Sequence, residues 1–133
     1  MTIPIPRSVV NRILTLARQA PEQEVCGLIG ARDGALQVYP VANGAEQKGE
    51  LFRMEPREQI DAMRRMREAG EELFAIYHSH PHAPAEPSVR DREEAAYPEA
   101  LYLIISLGTK GVLKMRGFRL GNDTAVPVEL ALG

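Results

Sequence analysis

The sequence predicts an α/β sandwich, with about three helices flanking a mixed, mostly antiparallel sheet of six or so strands. Residues 6–20 and 56–69 place apolar side chains at helical steps of three and four. Residues 73–78 and 100–106 are short, nearly continuous apolar runs of the kind that fill strands buried on both faces. Between them in character, residues 25–30 and 36–42 are joined through Asp33-Gly34, a hairpin signal. With 133 residues and domains mostly of about 100–150 residues, the expectation is one domain over residues 1–133.

Taken in order, the first helix buries Val9, Val10, Ile13, Leu14 and Ala17, with Pro6 at its start and Pro21 just past its end. In the second strand of the hairpin, Pro40 points to a sheet edge or a bulge. Asn43-Gly44 reads as another turn and residues 51–53 as a short strand. The second helix carries Pro56 in its first turn, Ile60, Met63 and either Met66 or Ala69 on its apolar face and Gly70 as its stop. After the strand at 73–78, Pro81, Pro84 and Pro87 impose a constrained loop. A third helix follows over 88–96, ended by Pro98, and then the strand at 100–106. In the strand at 112–120, Leu113 and Met115 alternate with Lys114 and Arg116 before the apolar set shifts to Phe118 and Leu120, as a bulge at Gly117 would produce. Gly121-Asn122-Asp123 turns the chain into a last strand in which Val126, Val128 and Leu130 alternate and Pro127 points to an edge.

Composition removes several classes of function. At 44% hydrophobic and 26% charged residues the chain is neither disordered nor fibrous. Sixteen Lys and Arg against eighteen Asp and Glu, net −2, leave no cation excess for a run of phosphates, so nucleic acid is not an expected partner. No apolar stretch approaches the roughly 20 residues of a membrane helix, and the first residues lack the order of a signal peptide. The expectation is a cytoplasmic protein with no membrane partner. A lone cysteine, Cys26, excludes an internal disulfide and a multi-thiolate metal site, so any metal must be held by His and carboxylates. Cys26 itself reads as a small core side chain.

All three histidines fall within the five residues His78-Ser79-His80-Pro81-His82, at the end of a predicted strand. Residues i and i+2 of a strand face the same side, so His78 and His80 can offer two imidazoles to one metal ion, with a third ligand from elsewhere. A bare His-x-His pair fits a solvated loop equally well. His82 lies beyond Pro81 and off the strand geometry, as a loop residue or an outer partner. Ser88-Val89-Arg90-Asp91, by itself, reads as a helix capping box.

Together these segments space out as His-x-His-Pro, six residues, Ser, two residues, Asp. That pattern resembles the JAMM, or MPN+, metalloprotease family, here as His78-Ser79-His80-Pro81, Ser88 and Asp91. Upstream, Glu24-Val25-Cys26-Gly27-Leu28-Ile29 resembles the family's glutamate segment, and the order of elements is similar over most of the chain. The resemblance implies the JAMM/MPN cytidine-deaminase-like fold and one zinc ion (Zn2+) per chain, held by His78, His80 and Asp91 with water in the fourth position. It further implies Glu24 as general base and Ser88 as hydrogen-bond donor to the developing oxyanion. Chemistry alone does not separate Glu24 from Glu22; only the Glu-x-Cys-Gly match favours Glu24.

With nine residues between Asp91 and Leu101, the chain looks like the compact prokaryotic branch, which lacks partner-gripping insertions. It is similar there to cysteine peptidases of sulfur carrier proteins. This implies hydrolysis of the amide bond after the C-terminal Gly-Gly of a ubiquitin-like sulfur carrier, the tail lying extended along an edge strand. His82 and Glu86 are departures in the active-site loop without an assigned role. The alternative is a non-catalytic MPN-type interaction module, although such relatives typically lose ligands that this sequence keeps. A zinc deaminase is disfavoured, because its His-x-Glu and Pro-Cys-x-x-Cys pattern is absent. A homodimer is compatible with so small a chain, and no residue demands it.

Overall fold

Both faces of the central sheet are apolar, and each is covered by helix. Along the chain come β1 (Thr2–Ile5), α1 (Arg7–Gln19), β2 (Cys26–Arg32), β3 (Ala35–Val41), α2 (Pro56–Glu68), β4 (Glu72–His80), α3 (Val89–Glu93), β5 (Leu101–Ser106), β6 (Lys114–Gly121) and β7 (Thr124–Leu132). The computed structural model describes residues 2–107, 114–121 and 124–133. The strands lie in the order β1-β7-β6-β5-β4-β2-β3. β1 pairs with β7 and β4 with β5 in parallel; the other neighbours are antiparallel. The mixed, mostly antiparallel sheet and three helices are therefore as expected, with one strand more.

Helix α1 packs Val9, Val10, Ile13 and Ala17 on one face of the sheet, against Ile29, Val38, Ala75, Tyr77, Leu101, Leu103 and Ile105. Helix α2 lays Ala62 and Met66 on the other face, against Leu28, Tyr39, Val41, Ile76, Tyr102 and Ile104. Burial on both faces is what makes β4 and β5 read as continuous apolar runs. The β2–β3 hairpin turns at Asp33 (φ 50°) and Gly34 (φ 83°), the paired left-handed conformation of a two-residue type I′ turn. Its outer strand, β3, is a sheet edge, so the missing N–H of Pro40 leaves no central ladder broken.

Several expectations are corrected. The additional strand is β1, which Pro4 within it and Pro6 just past it had concealed; it lies at the opposite sheet edge, where Pro4 is tolerated. β7 is flanked on both sides, but β1 reaches only Glu129 to Leu132 of it, so Pro127 lies where β7 has no second neighbour. Ile60 is 67% exposed; the inner face of α2 runs through Ala62 and Met66 instead. Residues 51–53 are not a strand: only Met54 bridges, to Asn43. Asn43-Gly44 is accordingly no simple turn but the bridged base of a loop. Helix α3 stops at Glu93 rather than 96, because Ala95 and Tyr97 leave the helix to pack on the α2-side core.

The ladder between β5 and β6 passes Gly117 without a register shift, so there is no bulge there. A Cβ at Gly117 would stand 2.8 Å from a Leu130 methyl and 3.2 Å from one of Leu101, so glycine makes room for the leucines above it. The apparent phase change arises because Met115 and Phe118 enter opposite cores. A register shift occurs instead in the β2–β4 ladder, between Ile29 and Gly30. Of the expected Gly121-Asn122-Asp123 turn, Gly121 ends β6 and pairs with Thr124; residues 122 and 123, and the first two residues of the strand at 112–120, lie outside the described residues.

Candidate metal centre

Strand alternation turns Ile76, His78 and His80 toward the α2 side of the sheet and Tyr77 and Ser79 toward the α1 side. His78 and His80 are both buried at the C-terminal end of β4, where the crossover to the parallel strand β5 begins. In open α/β sheets such carboxyl ends are where ligands sit.

The crossover brings α3 down on the two histidines. His78 Nε2, His80 Nε2 and Asp91 Oδ2 form a nearly equilateral triangle with edges of 3.2, 3.2 and 3.3 Å. His80 Nδ1 stands 2.8 Å from the Pro84 carbonyl oxygen, which can only accept. Nδ1 therefore carries a proton, and in the neutral form of the ring Nε2 is left with its lone pair free for a ligand. When both rings are neutral with Nε2 unprotonated, the two lone pairs and the carboxylate oxygen converge as a set that suits a cation. Donor atoms around a tetrahedral ion at bonds of about 2.0–2.1 Å stand roughly 3.3–3.4 Å apart, which the triangle matches. The residues present thus fit a metal ion.

Asp91 is held by a reciprocal capping box. Its Oδ2 accepts from Ser88 N at 2.9 Å, and Ser88 Oγ accepts from Asp91 N at 3.0 Å. The capping role accounts for one lone pair of the Ser88 oxygen and leaves the hydroxyl proton free to donate. Phe52 stacks on His78 with ring centroids 4.4 Å apart and planes at 26°.

Glu24 precedes β2. The β2–β4 register sets Cys26 against His78; two residues further along it, Glu24 comes opposite His80. Glu24 is 5% exposed, and its Oε1 has no hydrogen-bond partner among the described residues. A carboxylate oxygen of Glu24 and one ring nitrogen from each of His78 and His80 lie within 4.8 Å of one another. Glu22, the competing carboxylate, is on the surface, 3.0 Å from His82 Nε2. Glu86 is likewise exposed and contacts Arg116 at 3.4 Å.

The electrostatics follow from burial and this convergence. Burial pushes Glu24 up to about 7, with His80 opposing and Asp91 adding to the rise. Burial also lowers His78, against the pull of Asp91. For His80 burial acts downward too, but the hydrogen bonds to Asp91 and to the Pro84 carbonyl outweigh it and the ring is raised. For Asp91 burial acts upward, yet the two imidazoles and the Ser88 amide hold it far below the usual carboxylate range. Cys26 is a buried core residue; burial first, then the Glu24 charge, pushes its thiol up to about 12, so it is no nucleophile at neutral pH.

A narrow recess of about 40 Å3 reaches His78 and Asp91 between Phe52, Tyr102 and Leu120. Phe52, Glu94 and Tyr102 also line a larger cavity of about 400 Å3, so the two adjoin. Sequence reasoning missed Phe52 and Asn43. The Asn43 amide donates to the Glu24 and Leu51 carbonyls and its oxygen accepts from Ala45 N and Arg53 N, which ties the loop carrying Phe52 to the segment carrying Glu24. An Asn followed by Gly is the usual mark of a turn, so no local signal distinguishes this hub.

A family model described as prokaryotic homologs of the JAB domain matches residues 6–120. Among curated proteins, the chain is 35% identical over 103 residues to the desampylase of Haloferax volcanii, covering 72% of this chain and 74% of that one. It is 30% identical over 131 residues to the CysO-cysteine peptidase of Mycobacterium tuberculosis, covering 95% and 89%. Among solved structures, a protein from Desulfitobacterium hafniense superposes with a TM-score of 0.86 at 36% identity, over 99% of this chain and 93% of the other. A JAB1/MPN domain protein from Archaeoglobus fulgidus shares the fold, with a TM-score of 0.61 at 18% identity over 99% and 98%.

Proposed function

The chain belongs to the family of prokaryotic homologs of the JAB domain, and on that footing we propose that it is a zinc-dependent peptidase or isopeptidase. Its substrate is the amide bond after the C-terminal Gly-Gly of a ubiquitin-like sulfur carrier protein, and residues 1–133 act as a single catalytic domain. The observation that carries this reading is the 3.2–3.3 Å triangle of His78, His80 and Asp91 with the buried Glu24 beside it. Relatives named as a desampylase and a CysO-cysteine peptidase support the class of bond and partner.

His78, His80 and Asp91 would hold the ion, two imidazoles and one carboxylate being a usual catalytic zinc set with one position left open. When bound, zinc supplies a Lewis acid and brings the pKa of water in its open position down to about 7. Glu24, buried within 4.8 Å of the two imidazoles, is placed to take a proton from the attacking water and to return it to the leaving amine. Ser88 keeps its hydroxyl proton free while its oxygen caps α3, and so can donate to the oxyanion that develops on the scissile carbonyl.

The test is intact-mass analysis of a ubiquitin-like sulfur carrier, extended past Gly-Gly by cysteine or a short peptide, incubated with zinc-loaded protein and with Glu24→Ala. Loss of the extension with the native protein alone is the expected result. Binding of the carrier without cleavage by either protein would transfer the reading to the non-catalytic interaction module.

A further inference from the structure

Ser79 separates the two histidines in sequence, and strand alternation turns it away from them. It is fully buried on the opposite face of β4. There its hydroxyl accepts a hydrogen bond from Val25 N at 2.9 Å and lies 3.4 Å from the Gln23 carbonyl, to which it donates. Its backbone N–H donates to the Val25 carbonyl at 3.0 Å. Gln23 C=O and Val25 N–H are the peptide groups on either side of residue 24. One buried hydroxyl therefore grips the backbone immediately before and immediately after Glu24.

The remaining backbone groups of Glu24 are held from elsewhere: its N–H donates to the Lys48 carbonyl at 2.6 Å and its carbonyl accepts from Asn43 Nδ2 at 2.9 Å. This is needed because residue 24 lies outside the regular ladder, which begins at Cys26. A chain leaving a strand has no neighbour that fixes its φ and ψ. A displacement of about 1 Å at a reacting group can cost on the order of a hundredfold in rate.

We propose that Ser79 is a positioning residue for Glu24, so that one strand segment supplies two imidazoles on one face and the clamp for the proton-transfer carboxylate on the other. This rests on the reading of Glu24 as the general base. It assigns a specific task to the residue between the histidines, which touches neither imidazole side chain in the hydrogen-bond network described above.

Two measurements test it in the full chain. The first needs no activity: amide hydrogen exchange by NMR on metal-free protein, comparing native and Ser79→Ala. Val25 N–H should exchange at least tenfold faster in the variant, while amides of β5 and β6 stay within about twofold. The second uses the zinc-loaded protein and the extended carrier substrate. Ser79→Ala should keep stoichiometric zinc and a KM within about twofold, and should lose roughly 10- to 100-fold in kcat. In a Glu24→Gln background the same substitution should cost less than about threefold, because a clamp acts only through the group it holds.

Unchanged Val25 exchange overturns the proposal, as does an equal loss of kcat in the two backgrounds. Should Ser79→Ala fail to fold, Ser79→Cys takes its place; sulfur is a weak acceptor and donor, and the same increase in Val25 exchange is expected. A native protein that leaves the carrier uncut would defeat the functional reading, and the exchange measurement would still decide the clamp.

Discussion

Glu22 Oε2 and His82 Nε2 meet at 3.0 Å on the surface, each two residues along the chain from Glu24 and His80. Glu24 and His80 are buried, whereas the side chains of His82 and Glu22 are exposed at 70% and 78%. This separates two carboxylates that are chemically equivalent in the sequence. Glu24→Ala should keep zinc and fold and lose roughly 10²- to 10⁴-fold in rate. Glu22→Ala, which breaks an exposed ion pair, should change stability by less than about 1 kcal/mol and rate by less than about threefold. A time course of carrier cleavage checks both, and the reverse ranking would move the proton-transfer role to Glu22.

Removal of His78 or Asp91 takes away a corner of the triangle. Either Ala variant should pass gel filtration as a folded protein without metal, as measured by elemental analysis. Stoichiometric zinc in either would refute the ligand set.

Phe52 fixes the plane of His78 by stacking at 4.4 Å, and groups that orient a metal-binding imidazole commonly influence affinity by 10- to 100-fold. Phe52→Ala should weaken zinc binding on the order of tenfold in competition with a chromophoric chelator. Phe52→Leu, which retains bulk without a ring face, should fall between.

Burial lifts Glu24 from an ordinary 4.5 to about 7 in the metal-free protein. The folded state then holds a proton that the unfolded chain gives up across that interval. Its stability is fully present below about pH 4.5 and is lost as pH rises through 7. The loss should be roughly 3 kcal/mol, at 1.36 kcal/mol per pH unit over about 2.5 units. Glu24→Gln should flatten this dependence and raise the melting temperature of the metal-free protein above pH 7. Parallel pH profiles for the two proteins would contradict it.

Tyr77 lies over Gly27, its pairing partner in the β2–β4 ladder. A Cβ at Gly27 would stand 2.4 Å from the Tyr77 hydroxyl and 2.5 Å from its ring carbons, and Tyr77 is fully buried. Gly27→Ala should therefore cost roughly 1–3 kcal/mol by overpacking, read as a lower midpoint in thermal or denaturant unfolding. Gly34→Ala, where nothing lies within 4 Å but φ is +83°, should also destabilise, through backbone strain alone.

The sequence by itself determined the features that depend on neighbours a few residues apart. Helical spacing placed α1, Asp33-Gly34 closed the hairpin, and the apolar runs marked the doubly buried β4 and β5. The His-x-His alternation and the Ser-x-x-Asp cap announced two halves of the site. Apolar periodicity misled where the core was not where the pattern pointed, as for Ile60, and where two cores alternate along one strand, as at Gly117.

Only the tertiary structure decided what depends on chain segments meeting across long separations. That Glu24 rather than Glu22 is buried beside the histidines follows from how the segment before β2 packs on β4, through contacts such as Val25 with Ser79, 54 residues apart. Phe52 reaches His78 because Asn43 ties its loop down, and Asp91 reaches both histidines because the crossover to β5 folds α3 over the end of β4. Local preference assigns each segment a conformation; which side chains then share a few ångströms is settled by packing two apolar faces of one sheet at once, and no single segment carries that information.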